Sequence, residues 1–171
     1  MIPIVPVPHY QQSKEGYCLP ACARMVLAYL GIEHTEAEIS QLLGTRGIGT
    51  PGFAIQRLTA WGIQVDYRSW SLPEVLSALA AKQPLIIGVQ TVFLDYWKDN
   101  FAHAIVIVGA NANTQEFWVH DPAQPVAPLK VSFNGLLAAW GEFSYRGAVL
   151  SPPSKFGRLN RLLRFFRFYK S

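Results

Sequence analysis

The sequence predicts an α+β fold in which helices come first and a mostly antiparallel sheet follows. Two observations lead to this prediction. In the first half of the 171-residue chain, apolar residues recur at helical spacing between residues that start and stop helices. In the second half, short apolar runs alternate with polar turns, as strands do. Half of the residues are hydrophobic, which is enough to build the core of one domain.

Four helices are predicted in the first half. The first covers residues 19–30, and Gly31 fits its end. The second begins at a capping box of Thr35 and Glu38 and runs to about residue 43. The third and fourth are predicted over residues 53–61 and 72–81, with Gly62 ending the third and Ser71 capping the fourth.

Five strands and one short helix are predicted in the second half. The strands cover residues 85–90, 102–109, 117–121, 129–133 and 147–150. The short helix covers residues 134–140. The glycine-rich stretch 44–52 lacks the Gly-Lys-Ser/Thr ending of a phosphate-binding loop and is predicted to be a flexible surface loop.

The formal net charge of +4 is a local property of the C-terminus. Six of the 15 Lys and Arg residues follow residue 154, which leaves nine against 11 acidic residues. We therefore predict a globular domain over residues 1–150 and a basic segment over residues 151–171. A mildly acidic domain argues against nucleic-acid binding.

The basic segment is predicted to form an amphipathic helix. Its apolar residues Leu159, Leu162, Leu163 and Phe166 share one helical face, with arginines elsewhere. Two interpretations stay open: docking on an anionic membrane or an acidic partner such as a transporter, or folding back onto the domain.

The sequence predicts a cytoplasmic protein without a cofactor. The N-terminus has no secretory signal pattern, and no apolar stretch approaches the roughly 20 residues of a membrane helix. The two cysteines, Cys18 and Cys22, lie four residues apart, which suits free thiols in a reducing compartment.

Cys18 is the candidate nucleophile. It immediately precedes the first predicted helix, and a helix N-terminus stabilises the thiolate that cysteine chemistry needs. Cys22, one turn further, is predicted to be a small buried apolar residue. Gln12, six residues before Cys18, is the candidate oxyanion-hole donor together with the Cys18 backbone N–H, and Gln11 is its rival.

A base and a residue that orients it are predicted from one hairpin. With the turn centred near Ala112, His103 lies opposite Asp121 on the same face. His120 then lies opposite Ala104 on the other face. The two remaining histidines, His9 and His34, are predicted to be surface residues.

Other chemistries fit less well. The spacing of Cys18 and Cys22 is not that of a usual zinc site, and a fourth ligand is not apparent. No Gly-x-Ser-x-Gly motif of a serine hydrolase occurs.

These residues together resemble a known family. A first segment contains Gln12, Cys18, Ala21, Cys22, Met25, Ala28, Tyr29 and Gly31. Two later segments cover residues 103–109 and 117–122, the sequences HAIVIVG and FWVHDP. In order and spacing the segments are similar to the bacteriocin-processing or double-glycine leader peptidases, family thirty-nine of the cysteine peptidases.

The resemblance implies a papain-like fold and peptide-bond cleavage. It gives Cys18 as nucleophile, His103 as base, Asp121 as its orienting residue and Gln12 in the oxyanion hole. It also implies a peptide substrate, with a leader or precursor peptide as one candidate. Leu19 stands where the family usually has Gly, and Tyr17 where a polar residue is common. We expect their bulk to narrow the site.

Two alternatives to a peptidase stay open. The chain could be a peptide-binding module without catalysis on the same fold, although such a module needs neither Cys18 nor His103 and Asp121. It could also be an acyltransferase that passes the same thioester to an acceptor other than water.

Overall fold

The computed structural model describes residues 1–153 and has the predicted α+β architecture. The α-helices are α1 (Cys18–Tyr29), α2 (Glu36–Leu43), α3 (Leu72–Ala80) and α4 (Phe133–Gly141). Two 3₁₀ helices cover Gly52–Trp61 and Thr91–Phe93. The strands are β1 (Gln64–Ser69), β2 (Leu85–Gln90), β3 (Ala102–Asn111), β4 (Glu116–His120), β5 (Leu129–Ser132) and β6 (Arg146–Ser151).

The six strands form one sheet in the order β1-β6-β2-β3-β4-β5, with every neighbouring pair antiparallel. A first apolar core lies where α1, α2 and the longer 3₁₀ helix meet the sheet. A second core contains residues of α3 and α4. Strand residues alternate between the two cores: Val106 and Val108 belong to the first, whereas Ile105 and Ile107 belong to the second.

The helix starts follow the predicted capping residues. The Thr35 hydroxyl accepts the Glu38 backbone N–H at 3.2 Å, and the Glu38 carboxylate accepts the Thr35 N–H at 2.7 Å. Residues 52–61 are helical as predicted but form a 3₁₀ helix, which ends at Gly62 with a positive φ of 83°.

Strand β1 is the element that the sequence analysis missed. It lies at the edge of the sheet, and none of its residues is fully buried. Charged Asp66 and Arg68 interrupt any apolar run within it. Its sequence does alternate between apolar Val65 and Tyr67 and charged Asp66 and Arg68, the pattern of a strand with one buried face, and a search for apolar runs alone overlooks that pattern.

The N-terminal segment lies along β3. The Ile2 N–H donates to the Ala110 carbonyl at 2.9 Å, and the Val5 N–H donates to the Val108 carbonyl at 2.7 Å. Gly109 lies between these acceptors, where an added Cβ would come within 3.2 Å of the Ile4 Cα atom. Glycine at this position therefore permits the close approach of the segment.

Within residues 1–153, no helix has the length and apolar character needed to cross a bilayer. The predicted amphipathic helix at the C-terminus, with Leu159 and Phe166, lies outside the described residues.

Candidate active site

The fold places Cys18 as the first residue of α1, at the wall of a cleft of about 670 Å³. Buried neighbours in the helix fix its position, because Leu19, Cys22, Met25 and Val26 are packed in the first core. The Tyr17 side chain does not cap the helix. The N–H groups of the first turn are therefore left to stabilise negative charge on the Cys18 sulfur.

His103 lies on β3 beside Asp121, which follows β4. The His103 Nε2 atom is 2.7 Å from Asp121 Oδ1, and both side chains are buried. Cys18 lines the same cleft as His103, and the thiol is near enough to raise the pKa of the imidazole. One ring therefore bridges a thiol and a carboxylate, the arrangement that nucleophilic catalysis by cysteine requires.

The ladder that brings His103 to Asp121 differs from the predicted one. His120 pairs with Val106 instead of Ala104. If this register is continued to the start of β3, His103 lies opposite position 123, two residues beyond Asp121. The predicted register is wrong by two residues, yet the contact is present because a shift of two keeps side chains on the same face.

A β-bulge decides on which face Asp121 lies. The pairing shifts between Ile107 and Gly109, so that Val108 is an additional residue in β3. If Val108 were instead paired regularly, with no bulge, the ladder would place Asp121 opposite Val106, on the first-core face. With the bulge, Asp121 shares the face of His103.

Trp97, which the sequence analysis did not single out, completes the surroundings of Asp121. Its Nε1–H donates to Asp121 Oδ2 at 2.9 Å, and its ring lies edge-on to the His103 ring with centroids 5.4 Å apart. The Ala123 N–H donates to Asp121 Oδ1 at 2.8 Å. The isolated tryptophan in a loop offered no periodic signal, so only its contacts reveal the role.

These contacts set the charges of the pair. Burial alone would lower the pKa of His103, but its hydrogen bonds and the negative charges of Asp121 and Cys18 raise that pKa to about 9. Burial opposes ionisation of Asp121, yet the hydrogen bonds and charge of His103 lower the pKa of this carboxyl below its ordinary value. The site therefore favours a His103 imidazolium paired with the Asp121 carboxylate.

Gln12 also lines the cleft, whereas Gln11 is exposed and does not. The Gln12 Nε2 donates to the Lys14 carbonyl at 3.0 Å, which leaves the amide one further N–H. Its backbone N–H donates to the Pro122 carbonyl at 2.8 Å. Of the two glutamines, Gln12 is therefore the one that lines the cleft.

The bulky residues beside Cys18 do not narrow the cleft as expected. Leu19 forms part of the wall but is only 4% exposed, because its side chain packs into the first core. Tyr17 turns away from the cleft, and the Lys14 Nζ lies 4.4 Å from the centre of its ring.

The remaining cysteine and histidines lie outside the cleft lining. Cys22 is fully buried as predicted, its Sγ 3.3 Å from the Ala104 carbonyl oxygen, and burial raises the pKa of this thiol well above its ordinary value. His9 is not a simple surface residue, because its Nε2 lies 3.0 Å from the Asp121 carbonyl oxygen. His34 is partly exposed and stacks on Trp61.

The glycine-rich loop forms one edge of the cleft. Arg46 and Gly49 exchange two backbone hydrogen bonds, and the loop packs against Gly16, where an added Cβ would lie 2.9 Å from the Gly47 carbonyl oxygen. Glu15 and Asp99 also line the cleft, and its lining in the described part of the chain includes no Lys or Arg. The cleft therefore offers negative charge and main chain to a bound molecule.

Residues 4–148 match the sequence model of the peptidase C39-like family. No curated protein sequence matches the chain significantly.

Solved structures with the same fold are peptidase domains of papain-like architecture. One is a protein of Bacillus anthracis assigned to the C39-like peptidases, with a TM-score of 0.75 and 16% identity over 89% of this chain and 98% of that one. Another is the peptidase domain of Streptococcus ComA, a bifunctional ABC transporter of a quorum-sensing pathway (TM-score 0.68, 17% identity, 84% and 96% covered).

A third similar structure is a double-glycine-motif protease from an AMS/PCAT transporter, solved in complex with its leader peptide. Its TM-score is 0.64, with 17% identity over 87% of this chain and 94% of that one. At these identities the likeness shows the fold: an α+β, papain-like peptidase fold.

Proposed function

This chain belongs to the peptidase C39-like family, and on that premise we propose that it is a cysteine peptidase whose nucleophile is Cys18. The observation that carries the proposal is the bridging position of His103, 2.7 Å from Asp121 and in the same cleft as the Cys18 thiol. A peptide-binding module would not need a buried carboxylate and imidazole behind its only cleft-lining thiol.

In the proposed mechanism, the Cys18 thiolate attacks the carbonyl carbon of a peptide bond, and the carbonyl oxygen becomes an oxyanion. The Gln12 side-chain amide and the Cys18 backbone N–H donate to this oxyanion. The His103 imidazolium gives its proton to the leaving amine as the C–N bond breaks. His103 then removes a proton from water, which attacks the thioester and releases the acid and the Cys18 thiol. Asp121 keeps the ring oriented throughout.

The substrate that we propose is an extended peptide, with a leader or precursor peptide ending in Gly-Gly as the first candidate. A protein of the same fold holds a leader peptide, and its identity with this chain is only 17%. Basic side chains in the peptide would suit cleft walls that carry Glu15 and Asp99. Peptides with Gly-Gly before the scissile bond and Lys or Arg near it should therefore be tested first.

The two cysteines make the test of Cys18 sharp. We expect the Cys18→Ala variant to lose peptide cleavage by at least about 1,000-fold, since the covalent route is closed. Cys22→Ala should retain cleavage within a few-fold, because Cys22 is buried and does not line the cleft. Mass spectrometry of peptide products, with iodoacetamide labelling of each thiol, provides the measurement. Cleavage that persists in Cys18→Ala would refute the proposed function. A wild-type product joined to an added amine would indicate acyl transfer.

We further propose that the basic segment after Ser154 docks on an anionic membrane surface. Its sequence combines Lys and Arg with apolar residues at helical spacing, which is the composition that binds such surfaces. The full chain should co-sediment with phosphatidylserine vesicles, and a chain ending at residue 153 should remain in the supernatant. Equal sedimentation of both chains would rule the proposal out.

A further inference from the structure

Glu36 is a buried carboxylate that the proposed mechanism does not use. It is the first residue of α2 and is 9% exposed. The Ser13 backbone N–H donates to both carboxylate oxygens, at 3.2 Å each, and the Ser13 hydroxyl donates to Oε1. Hydrogen bonds to an ionised acceptor are stronger than neutral ones. A single side chain of α2 therefore holds Ser13 through its main chain and its hydroxyl.

Ser13 directly follows Gln12, which is held from the other side. The Gln12 N–H donates to the carbonyl of Pro122, the neighbour of Asp121. The loop before Cys18 is thus fixed at two points, one on α2 and one beside the residue that orients His103.

We propose that Glu36 is a positioning residue for the oxyanion hole. The inference rests on the proposed function, in which the Gln12 amide donates to the oxyanion. Such a donor is effective only when it is held where negative charge develops, since a misplaced donor must reorganise during the reaction. Glu36 does not line the cleft and therefore acts through Ser13 and Gln12 alone.

Two reactions of Cys18 distinguish this positioning role from a general disturbance of the active site. Acylation by p-nitrophenyl acetate passes through an oxyanion, whereas alkylation by iodoacetamide does not. Glu36→Ala is expected to slow acylation by about tenfold or more, because a misplaced Gln12 amide stabilises the oxyanion less well. The rate of alkylation should stay within about twofold of the wild-type rate. Ser13→Ala, which keeps the carboxylate and the backbone contact, should give a smaller selective loss. Exposed Glu33 on the approach to α2 provides the matched control, Glu33→Ala.

A double-variant cycle tests whether Glu36 acts through Gln12. Gln12→Ala should slow acylation selectively, and adding Glu36→Ala should slow it little further, because the donor is already absent. The proposal would be overturned if the losses of the two single variants multiplied in the double variant. It would also be overturned if Glu36→Ala slowed acylation and alkylation equally. Should Glu36→Ala fail to fold, Ser13→Ala decides: an unchanged ratio of acylation to alkylation would overturn it. Neither reaction involves peptide cleavage, so a failure of the proposed peptidase function would be seen separately.

Discussion

Replacing His103 with alanine is expected to lower kcat/KM for peptide cleavage by about 1,000-fold or more, because the thiolate loses its counterion and the leaving amine loses its acid. Peptide turnover measured by mass spectrometry checks this prediction. His34→Ala is the matched control, since His34 stacks on Trp61 and neither residue lines the cleft. Retention of more than about a tenth of the activity in a folded His103→Ala protein would contradict the assignment.

The companion variant Asp121→Asn tests the cause of the charge on His103. Asp121 helps to raise the pKa of His103 to about 9, so the asparagine variant should bring that pKa down. The imidazolium would then be lost at lower pH, and the alkaline limb of kcat/KM for peptide cleavage, which needs the imidazolium as acid, should move to lower pH. An unmoved alkaline limb would show that Asp121 does not hold the charge of this ring.

Replacing His120 with phenylalanine is expected to make the fold more resistant to acid. His120 is 5% exposed, and its Nδ1 has no hydrogen-bond partner within residues 1–153. Burial and the neighbouring His9 lower the pKa of His120 from 6.5 to about 4. The His9 ring lies edge-on, with centroids 5.6 Å apart. A protonated His120 would therefore be both poorly solvated and repelled.

The sign of the effect follows from proton binding. Between pH 6.5 and about 4, the unfolded chain binds a proton at His120 and the folded chain does not, so stability falls as the pH falls. The loss is at most about 3 kcal/mol, from roughly 1.4 kcal/mol for each pKa unit. Urea unfolding at pH 7 and pH 4 measures it, and the loss should be smaller in His120→Phe. An equal loss in that variant would contradict the prediction, and His34→Phe should retain the full loss.

The opposite behaviour is expected of His103. Because its folded pKa is raised to about 9, its contribution to stability is complete below pH 6.5 and disappears as the pH rises through about 9. The two buried histidines thus limit stability on opposite sides of neutrality.

Much of this site could be predicted because its residues lie in elements with local signals. Gly31 and the helical spacing mark α1, and so place Cys18 at a helix start. The polar turn after residue 110 marks a hairpin that carries both His103 and Asp121. The helix boundaries agree to within a residue or two, since capping residues act locally.

What could not be predicted depends on contacts between distant segments. Trp97 lies in an irregular loop, and its role depends on the end of β4. Glu36 was not singled out from the sequence, because its partner Ser13 lies 23 residues away. The hairpin register was wrong because the turn is centred between Asn113 and Thr114 instead of near Ala112, and the bulge, which leaves no composition signal, shifts the ladder back by one residue.

The bulge at Val108 has a consequence for changes in chain length. Side chains alternate along a strand, so adding or removing one residue between the bulge and His103 exchanges inside for outside at the histidine. Removing Val108 itself would only close the bulge, because Ile107–Val119 and Gly109–Trp118 would then be consecutive pairs. The exposed turn around Asn113 and Thr114 lies beyond the bulge, and insertions there would leave both ladders unchanged. Between the bulge and His103, a change of one residue therefore moves the histidine to the other face, whereas a change of two keeps its face. The turn is the place for a tag or a linker.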